Sequence, residues 1–426
     1  MFELENIFNE IVHIMNHDYA GWRDKKGCDR PEHFIQIIKD NPSLTKPEFK
    51  EIVDDYLLDF NDSHIYFVLE SSSSEKEKSR GFRVRRFEEG LCVTEVDSEK
   101  RVDLGMRFVS LGGHSIPALL EKLHRLLNEN HAERENWLPI LSLYEEGEVE
   151  DANGNRKTIK FNPFDKLPFV PEYSVKKINE EIIVMTMTDF ADPDAIVKMI
   201  ADNKTLLDST NKWIIDVRVN NGGSDSSYYP LFKYLLPEEG VELGDTEEHM
   251  LFNCTEDNAT RVIADIDEDL KGTEDEQAQV FLNVFRREWE RNSGKGFVQF
   301  NFDEIVPNTF IKGTKHPASI VVLTDNRCGS SGDSFVELAK KSDKIKIIGR
   351  PTLGLNDYAN LGSKKWTEGF ELWYPTSRLS RIDKGEGMTG VGIKPELYIP
   401  WTPEHIFIDK YMEKAIELLE SNVVSI

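Results

Sequence analysis

Cys328-Gly329-Ser330-Ser331-Gly332-Asp333-Ser334 stands between the apolar run Ile320-Val321-Val322-Leu323 and a helix predicted from Phe335 to Lys341. A buried strand that ends in a tight turn of small residues and feeds a helix is an α/β element. It is also where a hydrolase presents a nucleophilic hydroxyl. Glycines let the chain turn sharply, and a helix start offers unpaired N–H groups to a negative tetrahedral oxygen. Ser330 is the candidate nucleophile. An ordinary helix cap written in Ser, Gly and Asp is the competing reading of the same letters.

More strands of this kind surround it. Ile182-Ile183-Val184-Met185-Thr186-Met187, Trp213-Ile214-Ile215-Asp216-Val217-Arg218 and Ile345-Lys346-Ile347-Ile348 are mostly apolar and alternate with helical segments. That pattern implies a sheet covered on both faces. The acidic stretch from Glu256 to Glu290 reads as a helical insertion, a candidate rim for a site.

Upstream the pattern differs. Leu4, Ile7, Phe8, Ile11, Val12 and Met15 recur at helical spacing, and further helices are predicted around Phe34–Ile38 and Phe49–Leu57. Thr45-Lys46-Pro47-Glu48 is a capping-box start for the last of these. Ile65 to Leu69 reads as a strand, and the polar run Ser71 to Arg80 as an exposed loop. From Gly81 to Leu127 come short strands, a Gly112-Gly113 turn and a helix, the order of a small PDZ-type module.

Composition sets the limits. The chain has 426 residues, 39% hydrophobic and 30% charged, and a net charge of −25 from 77 acidic and 52 basic residues. That charge repels nucleic acid and anionic membrane surfaces, so neither is an expected partner. No apolar run approaches the length of a membrane span, and Met1-Phe2-Glu3-Leu4-Glu5 lacks the basic region of a secretory signal. Cys28, Cys92, Cys254 and Cys328 are far apart and read as free thiols of a reducing compartment, which predicts a cytoplasmic location. No HExxH, paired CxxC or Gly-rich phosphate-loop signature is present and the ten histidines read as scattered, so no metal is expected; hydrolysis by a serine needs no organic cofactor, and none is expected.

Three further motifs gain meaning beside Ser330. Asp216-Val217-Arg218-Val219-Asn220-Asn221-Gly222-Gly223 ends a strand in paired glycines. The N–H of Gly222 or Gly223, with that of Ser331, forms a candidate oxyanion hole. Ser63-His64 precedes a strand, and a neutral histidine is the natural base for a serine hydroxyl. Gly385-Glu386-Gly387-Met388-Thr389-Gly390-Val391-Gly392-Ile393-Lys394-Pro395 holds one carboxylate, Glu386, a candidate to orient His64. The loop Gly349 to Tyr358 follows the next strand and is a further place for binding groups.

Taken in order, Asn61-Asp62-Ser63-His64, Asp216 to Gly223, Gly329 to Asp333, Gly349 to Gly354 and Gly390 to Pro395 resemble the C-terminal processing (tail-specific) peptidase family. The resemblance points to its branch related to the tricorn protease core and the retinoid-binding protein repeats. It implies a crotonase-like (ClpP-like) spiral core of ββα units. It divides the chain into an N-terminal helical domain (1–63), a divergent PDZ-like domain with connecting strands (64–164) and the peptidase core (165–426). It implies a serine peptidase acting on peptides or proteins without a cofactor: Ser330 as nucleophile, His64 as base and Ser63 in a supporting relay, with Ser331 and Gly222 or Gly223 as oxyanion donors. Leu355 stands where many members carry a lysine base, which favours a Ser–His mechanism. Thr389 stands where the tricorn-like branch has a glutamate, which leaves Glu386 to take that part. An inactive binding protein on the same scaffold, and an esterase or amidase for small substrates, are the alternatives. Oligomeric state is not encoded in these motifs.

Overall fold

Ser319–Thr324 forms the strand that its apolar run implies, and its neighbours explain its composition. In the computed structural model, which describes residues 2–70, 77–127, 129, 131–244, 248–305 and 309–421, this strand lies inside a six-stranded sheet. The order across the sheet is Tyr173–Lys177, Ile182–Met187, Lys212–Asp216, Ser319–Thr324, Ile345–Gly349 and Leu397–Tyr398. The first pair is antiparallel and every later pair is parallel. One face buries Ile183, Met185, Trp213, Ile215, Ile320 and Val322 against helices Pro193–Asp202 and Ser331–Ala339. The other buries Ile182, Val184, Ile214, Val321 and Leu323 against helix Lys410–Glu420. Alternate residues of each strand thus face two apolar layers, which is why the strands read as continuous hydrophobic runs.

This sheet corrects one expectation. A crotonase-like spiral would repeat one ββα unit along the chain. Here the sheet has one antiparallel pair, at its edge, and its other four pairs are parallel in a single open sheet, two of them joined by helices alone. The α/β class stands; the spiral does not. Apolar periodicity reports burial on two faces but not which strand pairs with which, and that pairing separates the two architectures.

The chain packs as two compact units, each assembled from separated segments. The sheet above belongs to the unit drawn from 74–241, 312–354 and 390–426. The same unit holds a β-rich module of strands Phe82–Phe87, Gly90–Val96, Arg107–Leu111, Glu146–Glu150 and Arg156–Lys160, with helix Ile116–Leu127. Phe82, Leu91, Phe108, Ile116, Leu119, Trp137 and Val149 form its core. The module touches the loops near Ser330. The Arg85 guanidinium donates to the Asn326 side chain at 3.1 Å, and Arg134 donates to the carbonyls of Thr352 at 2.7 Å and Leu353 at 2.6 Å.

The other unit is drawn from 1–73, 242–311 and 355–389. It has an antiparallel sheet ordered Tyr66–Leu69, Phe370–Leu379, Met250–Cys254 and Gly296–Gln299, with Tyr358–Lys365 also paired to Phe370–Leu379. Helices Phe2–His13, Pro31–Asp40 and Lys46–Leu57 bury Phe8, Ile11, Phe34, Phe49 and Tyr56 in one core with Phe67, Phe370 and Leu372 of the sheet. The capping box is present: the Thr45 N–H donates to the Glu48 carboxylate at 2.8 Å. The acidic insertion forms helices Glu256–Gly272 and Glu276–Asn292. Of the loop read from Ser71 to Arg80, residues 71–76 lie outside the described residues; Lys78–Ser79 pairs with Phe164–Asp165.

Candidate active site

Ser330 sits where the strand Ser319–Thr324 has turned into the helix Ser331–Ala339, which begins earlier than the sequence suggested. Its backbone has φ 58° and ψ −123°, a left-handed conformation that a residue with a Cβ adopts at a cost of roughly 1–3 kcal/mol. Neighbouring hydrogen bonds hold it there. The Ser330 N–H donates to one Asp333 carboxylate oxygen at 2.7 Å, and the Gly354 N–H donates to the other at 2.8 Å. The Gly329 N–H donates to the Asn220 carbonyl at 3.0 Å, and the Leu353 N–H to the Cys328 carbonyl at 2.7 Å. Asp333 and Cys328 are fully buried. Burial, with the Asp333 charge adding to it, pushes the Cys328 thiol well above its ordinary value, so this cysteine is a packing residue. The strained strand–turn–helix places a serine at the tip of the turn, the arrangement of a nucleophile elbow.

The two glycines behave differently. Gly222 has φ 80°, and a Cβ there would lie 2.7 Å from the Ser330 Cβ and 3.2 Å from its Oγ. Its N–H is already used, donating to the Asn220 side-chain oxygen at 2.9 Å, while the Asn220 amide donates to the Met187 carbonyl at 3.0 Å. The Gly222 carbonyl accepts from the Phe190 N–H at 2.7 Å. Gly223, paired with Phe190 as an isolated bridge, is exposed, and its N–H makes no hydrogen bond among the described residues. The Ser331 N–H, in the first turn of its helix, likewise has no main-chain acceptor among them. The Ser331 hydroxyl donates to the Asp225 carboxylate, a partner that the sequence did not advertise.

Ser63 and His64 form a turn before the strand Tyr66–Leu69, in the other unit. The His64 Nδ1 lies 2.8 Å from the Tyr358 carbonyl oxygen. A carbonyl can only accept, so Nδ1 carries a hydrogen, and the neutral ring has its lone pair on Nε2. The His64 N–H donates to the Asp62 carboxylate at 2.9 Å, whose other oxygen accepts from the Tyr19 hydroxyl at 2.8 Å. Burial raises the Asp62 carboxyl above its usual value, against the opposing pull of His64.

The strand that supplies the Tyr358 carbonyl is itself tied down. The buried Asp357 carboxylate accepts from the N–H groups of Met388 at 2.9 Å and Thr389 at 2.7 Å, and from the Thr389 hydroxyl at 2.7 Å. Glu386 lies in the same loop but is exposed, as is Ser63, and no described hydrogen bond joins either side chain to His64. Ser330, Ser331, Gly222 and Gly223 thus fall in one unit, and Ser63, His64 and Glu386 in the other. Tyr358 and Asp357 escaped the sequence reading. The first acts through its backbone, which no side-chain pattern marks, and the second was an unremarked letter of the loop Gly349 to Tyr358.

The model of Peptidase family S41 matches residues 181–399, just over half of the chain. No curated protein matches the chain. Among solved structures, mature CPAF complexed with lactacystin is similar at 13% identity and a TM-score of 0.67, covering 99% of this chain and 98% of that one. Mature CPAF is similar at 14% identity and a TM-score of 0.68, covering 98% of both chains. At that identity the likeness establishes the fold, and it extends over nearly the whole chain, both units included. No described helix is long and apolar enough to cross a membrane.

Proposed function

This chain belongs to peptidase family S41 and is a serine-type peptidase acting on peptides or proteins, and we propose that Ser330 and His64 are its nucleophile and base. The observation that supports this most is the Ser330 backbone, held in a strained conformation at a helix start beside Gly222. His64 Nε2 takes the Ser330 hydroxyl proton as Oγ attacks the substrate carbonyl carbon. The oxyanion that forms is received by the N–H groups of Gly223 and Ser331; Gly222, with its N–H donated to Asn220, lines the site instead. The protonated imidazole then gives its proton to the leaving amine; water, deprotonated by the same nitrogen, attacks the acyl carbon, and the imidazolium returns that proton to Oγ as the acyl group leaves as a carboxylic acid. Each amide is worth about 3 kcal/mol of transition-state stabilisation. A fluorophosphonate probe should label one residue, and peptide mass spectrometry should find it on Ser330. Labelling elsewhere, or none in a protein that hydrolyses peptides, overturns the assignment.

The group proposed to orient His64 is the Tyr358 carbonyl, held by the Asp357 clamp on Met388 and Thr389. Thr389→Val removes one of three donors to Asp357, about 1 kcal/mol. It should lower kcat several-fold with little change in KM. Glu386→Gln, on an exposed side chain, should change kcat/KM by less than about threefold. A much larger loss in Glu386→Gln would return the orienting role to that carboxylate, with Ser63 as its relay.

Three coarser proposals accompany the mechanism. Along the sequence, the helical residues 1–63 precede a PDZ-like domain of 64–164, whose residues 81–127 hold a substrate end, and the core 165–426, a division by task rather than by packing unit. The net charge of −25 disfavours nucleic acid. The four free cysteines favour the cytoplasm.

A further inference from the structure

The N-terminal helix carries two histidines four residues apart that the peptidase mechanism does not use. His13 ends the helix Phe2–His13, and the chain continues as a single π turn, Ile14–Asp18, that contains His17. Such wide turns occur often at functional sites. This one stacks the two rings, with centroids 5.0 Å apart and planes 22° from parallel. Both imidazoles are more than half exposed, whereas Asp18 is fully buried. His17 Nδ1 is 2.9 Å from an Asp18 carboxylate oxygen. One donor atom from each of His13, His17 and Asp18 lies within 4.8 Å of the others.

The geometry points to a surface site for a divalent d-block cation, Zn²⁺ as the fitting example, held by His13, His17 and Asp18. Two imidazole nitrogens and one carboxylate oxygen are a ligand set for such ions, with water completing the shell. Bond lengths of about 2.0–2.2 Å at tetrahedral angles set ligand atoms about 3.3–3.6 Å apart, so the exposed rings have to swing by up to about 1.5 Å. The cation would replace the hydrogen bond between His17 and Asp18. The carboxylate is already fixed from behind, as ligating carboxylates usually are. Thr255 donates to one oxygen at 2.7 Å and the Arg261 guanidinium to the other at 2.7 Å. Arg261 is a cation close to the site, but Asp257 offsets it. Asp257 lies 3.6 Å from Arg261 and 3.9 Å from His13 Nε2, on the helix Glu256–Gly272. In the sequence the pair was hidden among ten histidines read as scattered, although its i, i+4 spacing sets both on one helix face.

The test is titration of ZnCl₂ into chelator-treated full-length Ser330→Ala protein, followed by calorimetry. One ion per chain should bind. His13→Gln and His17→Gln should each weaken binding at least tenfold, since even loss of an outer-shell partner costs about 10–100-fold. His33→Gln, on an exposed histidine elsewhere, should leave it unchanged. Co²⁺ at the site should give visible absorption bands that both ligand variants lose. Circular dichroism would show that the variants fold, as expected for exposed side chains. Absence of stoichiometric binding, or binding equally tight in both ligand variants, overturns the assignment. Neither readout depends on peptide hydrolysis, so the site stands or falls apart from the catalytic proposal.

Discussion

Ser330→Ala should abolish peptide hydrolysis, with kcat falling by roughly a million-fold, and His64→Ala should fall nearly as far. Nucleophile and base act as a unit, so the double variant should be no worse than either single one. The residual rate would come from the amides of Gly223 and Ser331, which neither change removes. The comparison is best made on kcat for a fluorogenic peptide, with folding checked by circular dichroism. The site also makes a stability claim. Alanine keeps the Cβ that makes φ 58° costly, whereas glycine adopts that conformation freely. Ser330→Gly should therefore melt at a higher temperature than Ser330→Ala, while both are inactive. If His64→Ala hydrolyses peptide at the wild-type rate, the base lies elsewhere. If Ser330→Gly melts no higher, the turn is not the strained element described above.

What the sequence disclosed follows from which physical constraints leave a mark on residue type. The strands around Ser330 were legible because burial on both faces demands apolar residues at most positions of Ile182–Met187 and Ser319–Thr324. The turn at Ser330 was legible because only small residues fit: a Cβ on Gly332 would lie 2.8 Å from the Cys328 sulfur. The pairing of strands leaves no such mark, and there the expected spiral gave way to an open sheet. The two packing units were equally hidden, since each gathers segments from three parts of the chain. At the histidine the reading sought a carboxylate, and the fold supplies a main-chain oxygen whose position depends on Asp357 and Thr389. Which of two adjacent glycines offers its N–H was also undecidable from letters. The Gly222 N–H donates to the side-chain oxygen of Asn220, a residue that reads as one more polar member of a turn.

Those adjacent glycines lead to the second large effect. Gly222→Ala sets a methyl 2.7 Å from the Ser330 Cβ and 3.0 Å from the Gly329 carbonyl oxygen, at a residue with φ 80°. The Ser330 Cβ is one bond from the backbone and cannot swing aside as a long side chain would, so Ser330, the proposed nucleophile, must itself shift. A displacement near 1 Å at a reacting group costs about a hundredfold in rate. Gly222→Ala should therefore lose at least that much in kcat, with an unaltered far-ultraviolet spectrum and weakened fluorophosphonate labelling. Gly223→Ala meets a different obstacle: its Cβ would fall 2.3 Å from the carbonyl carbon of Phe190, a fully buried residue of the main core. Backbone there has no room to yield, so this variant should lose stability along with activity and be recovered in lower yield. The contrast separates the two roles. A Gly222→Ala protein that keeps wild-type kcat would mean that Ser330 is not the reacting group this glycine crowds.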